Sequence, residues 1–277
     1  MVFESGSELK VIEQAAFSGC SALEQIVFPE RLEKIGRLAF SKTKLENIVL
    51  PASLGSVAQG VFYKCRNLKT VKFGEGLEVL GTDERTDDGK QFYGVFEESA
   101  VESVDLPSTL KKIEYSAFKR CKSLKSIILP ERLECLGTRC FKESGLESVR
   151  LPPALKIIEC KAFYQCESLK NVEFSEGLET VCRFAFGKTA VESVVFPASL
   201  RTISQGTFTL CKCLKIVKFS EGLEVLGSGE RVDDNQGFYG VFQESAVEHV
   251  ELPSTLKRIE YSTFEKCENL KSIALPN

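Results

Sequence analysis

Residues Leu110 to Arg132 read LKKIEYSAFKRCKSLKSIILPER, and the phrase returns with variations along the whole chain. Its template is L-x-x-I-x-x-x-A-F-x-x-C-x-x-L-x-x-I-x-L-P-x-x. The template opens at Leu9, Leu32, Leu54, Leu77, Leu110, Leu133, Leu155, Leu178, Leu200, Leu223 and Leu256. Openings follow one another by 22 or 23 residues, except after Leu77 and Leu223, where the unit is 33 residues long and carries an 11-residue insert. Such self-similarity marks stacked units, none of which can bury its apolar face alone.

In L-x-x-I-x-L-P the apolar residues point inward from a short strand, and the proline ends the strand and turns the chain. One strand per unit predicts a parallel stack. At about 4.8 Å per strand, eleven rungs span about 50 Å.

The L-P after the strand, the I-x-x-x-A-F turn (Ile113 to Phe118, Ile158 to Phe163) and the C-x-x-L junction (Cys121 to Leu124, Cys166 to Leu169) resemble the BspA-like class of leucine-rich repeat. The resemblance covers nearly the entire chain. It implies a right-handed, mainly β leucine-rich repeat solenoid of about eleven rungs, with a parallel sheet on one face and short extended or 3₁₀ segments on the other. It also implies a role in recognition or adhesion, at a cell surface or secreted, without a shared ligand.

The 277 residues carry 36 Lys and Arg against 39 Asp and Glu, a net charge of -3, which offers no basic footprint for nucleic acid. No apolar run is long enough to insert in a membrane. A single histidine stands against most hydrolytic and zinc chemistry, because histidine is the usual acid, base and ligand at neutral pH. No nucleophile-base set, phosphate loop or metal cluster interrupts the repeat, so the sequence predicts no enzyme, no cofactor and no metal.

Six of the eleven cysteines, Cys20, Cys65, Cys121, Cys166, Cys211 and Cys267, fill one repeat position on every second rung. Thr43, Ser99, Ser144, Thr189 and Ser245 fill it between them, so the column reads as a buried ladder of thiols and hydroxyls. Thiols two rungs apart lie about 9 to 10 Å from one another, too far for a disulfide. Cys135, Cys140, Cys160, Cys182 and Cys213 scatter over other positions without a C-x-x-C pair and read as structural.

Alternation along L-x-x-I-x-L turns the second, third and fifth positions to solvent. The second alternates acid and base for ten rungs, Glu46, Lys69, Glu102, Lys125, Glu147, Lys170, Glu192, Lys215, Glu248 and Lys271. That ladder fixes rung order more than it stabilises, since an exposed pair contributes only about 0.2 to 1 kcal/mol. The third is mostly Ser, Thr or Asn, with His249 as a surface polar residue. The fifth varies along Val27, Val49, Lys72, Asp105, Ile128, Arg150, Glu173, Val195, Lys218, Glu251 and Ala274, and it is the candidate binding column. It holds no Trp or Tyr, and Lys72 with Asp105, Arg150 with Glu173 and Lys218 with Glu251 are candidate neighbouring pairs.

The inserts at 82–92 and 228–238 share E-R-x-D-D and run into F-Y-G-V-F. Glu84, Arg85, Asp87 and Asp88 on the first, with Glu230, Arg231, Asp233 and Asp234 on the second, are candidate binding residues. The loops stand about 29 Å apart at the strand spacing, which suits a bivalent contact. Leu54 to Pro130 matches Leu200 to Pro276 at an offset of 146 residues, so duplication alone also explains the likeness. Their acids lack EF-hand spacing, and Phe92, Tyr93, Phe238 and Tyr239 are expected to fold the loop bases against the rod.

Residues 1–277 read as a single array that starts inside a rung and stops after a strand without polar caps, as a piece of a longer array would. Met1 to Lys10 lacks the basic start and apolar stretch of a signal peptide. The leading reading is a non-catalytic module that binds a protein or glycan through its sheet face and two acidic loops. The alternative is a structural spacer or stalk within a larger surface protein.

Overall fold

The computed structural model describes residues 6–81, 92–228 and 239–275. Over these residues the chain winds as a parallel β-solenoid of eleven turns, with no helix. Each turn contributes two extended segments, as the resemblance implies, and those opposite the expected sheet pair with one another. The L-x-x-I openings form one continuous sheet of eleven short strands, from Val11–Ile12 and Lys34–Ile35 to Arg258–Ile259. The side opposite the expected sheet is therefore a hydrogen-bonded ladder.

The expected sheet, built from I-x-L, comes in three pieces. Asn47–Leu50, Thr70–Phe73 and Ser103–Asp105 form the first, and Ser148–Arg150 with Asn171–Glu173 the second. Ser193–Phe196, Ile216–Phe219, His249–Glu251 and Ser272–Ala274 form the third. One lapse spans the rung of Ile127, and another separates Val172 from Val194. Val172 and Val194 are 22 residues apart, and the missing residue lies in the turn before the strand. Thr189-Ala190-Val191 replaces the longer entry seen at Cys166-Glu167-Ser168-Leu169. A backbone bond still crosses this lapse, from Glu192 N–H to the Lys170 carbonyl at 3.3 Å.

Between ladder and sheet the chain makes a six-residue turn around A-F. On the rung of Phe118, the N–H groups of Ser116, Phe118 and Arg120 donate to Thr138, Cys140 and Lys142 of the next rung at 2.7 to 3.0 Å. The intervening Ala117, Lys119 and Cys121 donate back within the turn. This alternation requires a left-handed backbone just before Ala and again two residues after Phe, as at Ser116 (φ 54°) and Arg120 (φ 60°). Seventeen non-glycine residues in the described chain have positive φ, and none is Val, Ile or Thr, whose branched Cβ tolerates that region worst.

The phenylalanine of each A-F turn points inward and stacks on the next. Eleven rings from Phe17 to Phe264 form one column, with successive centroids 5.1 to 5.9 Å apart and planes within 18° of parallel. Beside it, Cys65, Cys121, Cys166, Cys211 and Cys267 donate their thiols to Phe40, Phe96, Phe141, Phe186 and Phe242 carbonyls at 3.0 to 3.2 Å. Thr43, Ser99, Ser144, Thr189 and Ser245 contact those sulfurs at 3.3 to 3.7 Å, which makes the thiol-hydroxyl ladder real. Burial pushes Cys121 up to about 12 and Cys166 and Cys211 up to about 11, so these thiols stay protonated. Cys20 departs from the expectation: it is exposed, on the first described rung. All eleven cysteines are free.

Each strand ends in a P-x-x-L turn, closed by bonds such as Leu155 N–H to the Pro152 carbonyl at 3.1 Å. Three rungs replace the proline turn with Glu-Gly, at Glu75, Glu176 and Glu221. Glu221 accepts the Ser254 hydroxyl at 2.7 Å and the Ser254 and Thr255 N–H groups, while Gly222 N–H donates to Thr255 Oγ1 at 2.9 Å. These bonds, led by the Ser254 hydroxyl, hold the Glu221 carboxyl below its ordinary value. Glu75 is held down likewise by Ser108.

Phe163→Ala should cost about 3 to 5 kcal/mol in chemical denaturation, because it opens a cavity in the ring column and removes two stacking contacts. Glu221→Gln should lower Tm at neutral pH. A carboxyl with a depressed folded pKa stabilises above its unfolded value, so the Tm difference should close as the pH falls through the folded value.

Candidate functional site

The middle of each sheet strand before the last alternates exposed, buried, exposed, so the third and fifth positions face outward while the fourth enters the core; Ser272–Ala274, at the end of the stack, is exposed throughout. Cross-strand register lines up the fifth column: Val49 pairs with Lys72, Lys72 with Asp105, Arg150 with Glu173, Val195 with Lys218 and Lys218 with Glu251. The Lys72 and Asp105 side chains meet at 3.7 Å, and those of Lys218 and Glu251 at 2.8 Å. The apolar members stand open, with Ile128 88%, Val49 64% and Val195 59% exposed.

From Lys72 onward this column repeats a base, an acid and an apolar residue every three rungs: Lys72, Asp105, Ile128; Arg150, Glu173, Val195; Lys218, Glu251, Ala274. In the second column Lys125 meets Glu147 at 3.7 Å, and Lys271 is bonded to Glu248. The Lys271 hydrogen bond, with the charges of Lys271 and Lys215, holds the Glu248 carboxyl below its ordinary value. The third column is tied by hydroxyls, Thr70 donating to Asn47 Oδ1 at 2.6 Å. His249 Nδ1 lies 2.8 Å from Ser272 Oγ, at the surface as expected.

Two clefts of about 480 Å³ each open along this face, and both lie at 22-residue steps, Ile26 to Ile48 and Val172 to Val194, that no piece of the sheet spans. Val27, Phe28, Val49 and Pro51 help to line one, and Glu173, Phe174, Val195 and Pro197 the other. The sequence reading missed Phe28, Pro51, Phe174 and Pro197. Their signal is the shortened entry of the following strand, Ser/Thr-x-Leu or Ser/Thr-x-Val.

The inserts leave the rungs on the other side of the A-F turn, between ladder strand and turn, so their stems are separated from the sheet face. Glu84, Arg85, Asp87, Asp88, Glu230, Arg231, Asp233 and Asp234 lie outside the described residues, as does Phe238. The described stem aromatics fold against the rod as expected: Tyr93 on Tyr63 at 4.2 Å, Phe92 on Tyr115 at 6.2 Å and Tyr239 on Phe184 at 5.1 Å. Gly94 and Gly240, central to the shared F-Y-G-V-F, have a steric reason. A Cβ there would stand 1.6 and 1.7 Å from the Ser116 and Ser262 carbonyl oxygens of the next rung.

The scattered cysteines include one pair the sequence did not join. Cys160 and Cys182 come from adjacent rungs and different repeat positions, brought close as Cys182 N–H bonds the Ile158 carbonyl at 2.9 Å. The neighbouring Cys182 thiol, with the backbone N–H and charge of Arg183, draws Cys160 down, while Cys160 and burial push Cys182 up. Cys135, its Sγ 3.9 Å from Glu159 Oε1, is raised to about 12 by burial and nearby carboxylates. Among the described residues no group of three or more His, Cys, Asp or Glu could hold a metal ion.

A family model of the BspA type leucine-rich repeat region matches residues 2–84, 93–215 and 239–277 in six copies. A leucine-rich repeat protein from Bacteroides ovatus has a similar structure, with TM-score 0.67 and 23% identity over 95% of this chain and 82% of that one. A leucine-rich repeat protein from Eubacterium ventriosum gives 0.58 and 18% over 98% and 71%, and the pneumococcal vaccine antigen PcpA 0.53 and 20% over 97% and 77%. At these identities the likeness concerns the fold. Among curated proteins none matches the chain in sequence.

At neutral pH, iodoacetamide should alkylate Cys160 ahead of Cys65, Cys121, Cys166 and Cys211, because the thiolate is the nucleophile and only Cys160 is drawn down. Time-resolved peptide mapping checks this, and Cys182→Ser should slow the reaction at Cys160.

Proposed function

Since the chain belongs to the BspA-type leucine-rich repeat family, we propose that it is a non-catalytic recognition module whose sheet face binds a protein or glycan. Leucine-rich repeat proteins generally serve as protein-interaction or surface modules, which supports the class of function. The observation that carries the reading is the fifth column. Isolated apolar side chains stand open at three-rung intervals between oppositely charged neighbours, of which Lys72 with Asp105 and Lys218 with Glu251 form ion pairs, in the two-part chemistry of an interface: apolar anchors for affinity and charges for register. Val27, Val49, Glu173 and Val195 also border the clefts, which give a partner relief to enter.

The inserts, with Glu84, Arg85, Asp87 and Asp88 and their counterparts Glu230, Arg231, Asp233 and Asp234, form a second proposed contact region beside the turn. A stalk within a larger surface protein is the second reading, favoured by the pairing of exposed charges along the face.

Capture from source-cell and host extracts separates these readings. Wild type should retain a partner that Ile128→Glu with Val195→Glu loses by at least about tenfold, as expected when two anchors are replaced. Deletion of 82–91 and 229–238 should weaken capture less. Equal capture by wild type and the double variant would overturn the sheet-face reading, and capture by neither would favour the stalk.

A further inference from the structure

We propose that the sheet face is a homotypic docking surface, pairing with the same face of a second copy about a two-fold axis. The axis runs along the strand direction, between the rung of Arg150 and the rung of Glu173. The inference rests on the sheet-face reading above and names its partner.

Such an axis keeps each column opposite itself and reverses the order of rungs. In the fifth column Arg150 then faces Glu173 of the second copy, Asp105 faces Lys218, and Lys72 faces Glu251. The apolar residues meet each other, Ile128 against Val195 and Val49 against Ala274. In the second column Glu147 faces Lys170, Lys125 faces Glu192, and the alternation carries opposite charges out to Glu46 against Lys271. Ten rungs match in both columns at once.

Neighbouring placements fail. Moving the axis by one rung sets Asp105 on Glu173 in one direction and Arg150 on Lys218 in the other. Passing it through the rung of Arg150 sets Lys125 on Lys170. Like charges in those positions are repulsive, so the two charge periods, two rungs and three rungs, together select the antiparallel placement. The third column does not oppose it, being mostly hydroxyl and amide groups with Ile216 and His249 near one end.

Ten rungs at about 4.8 Å and four strand residues at about 3.3 Å give a patch of roughly 43 by 13 Å, or about 1,100 Å² over both copies. That is the lower end for a specific interface, so the dimer should be weak and salt-sensitive.

Sedimentation equilibrium of the whole chain tests the pairing up to about 0.5 mM, the range in which a small interface associates. Wild type should dimerise at low ionic strength and weaken at least about tenfold in 0.5 M salt. Arg150→Glu and Glu173→Arg should each be monomeric, since each sets like charges across the axis. A one-to-one mixture of the two should recover the dimer. In the mixed pair the glutamate introduced in one variant faces the arginine introduced in the other, and the native Glu173 of the first faces the native Arg150 of the second. Circular dichroism checks that both variants fold. A wild type that stays monomeric overturns the pairing, as do single variants that dimerise like wild type or a mixture that does not recover. A monomeric wild type that still captures a protein lost on Ile128→Glu with Val195→Glu overturns the homotypic partner alone and leaves sheet-face recognition standing.

Discussion

The stack depends on the left-handed turn around A-F. On a rung such as that of Phe118, three N–H groups reach the next rung while the three between them close their own turn, Ser116, Phe118 and Arg120 alternating with Ala117, Lys119 and Cys121; the insert rungs keep two of the three. An L-residue reaches that geometry only by accepting positive φ, twice on a rung such as that of Phe118 and once on the insert rungs, at Glu98 and Glu244, at about 1 to 2 kcal/mol each. The cost is offset because the turn inserts Phe into the ring column and, on a hydroxyl rung, presents the Phe carbonyl to the thiol that follows the second left-handed position of the next rung, as Phe96 does to Cys121. Remove the turn, and both the column and the thiol ladder lose their anchor.

The thiol-hydroxyl alternation has a geometric counterpart outside the core. A cysteine rung enters its sheet strand through C-x-x-L, and a hydroxyl rung through a turn one residue shorter. The shorter entry coincides with both clefts and with the unpaired steps into Val149 and Val194, while the step into Ile127 is unpaired after a full C-x-x-L entry. In the insert rungs pairing survives, Lys72 to Asp105 and Lys218 to Glu251 remaining in register. A choice made for a buried donor thus travels through one residue of turn length to the relief of the exposed face.

Much of this was legible in the sequence because a stack repeats each residue's surroundings, so that position in the unit predicts burial. The thiol column, the alternating Glu and Lys column and the fifth column all follow from counting. The segments opposite the sheet came from the resemblance and not from counting, because their strands are mostly two residues long and too short to show alternation, as at Lys112–Ile113 and Cys135–Leu136. The Cys160 and Cys182 contact escaped for a related reason: the two occupy different columns, and only the backbone bond from Cys182 to Ile158 shows the diagonal. Gly94 and Gly240 were visible as a shared motif, but the reason for glycine, a carbonyl of the next rung where Cβ would stand, belongs to three dimensions.

The two charged columns differ in a way that separates folding from function. Holding rungs in register needs only that each charge meet its opposite above and below, and a period of two does this with no member left over, as Glu147 between Lys125 and Lys170 illustrates. A period of three cannot be optimal for that task. It leaves every third rung apolar and open to water, Ile128 most of all, at a position where Glu or Lys would serve the stack as well. An exposed aliphatic side chain alone means little, but recurrence at a fixed interval between oppositely charged neighbours is a pattern that the stack itself does not require. The second column therefore reads as the element that keeps the rungs in order, and the fifth as the one that faces something else.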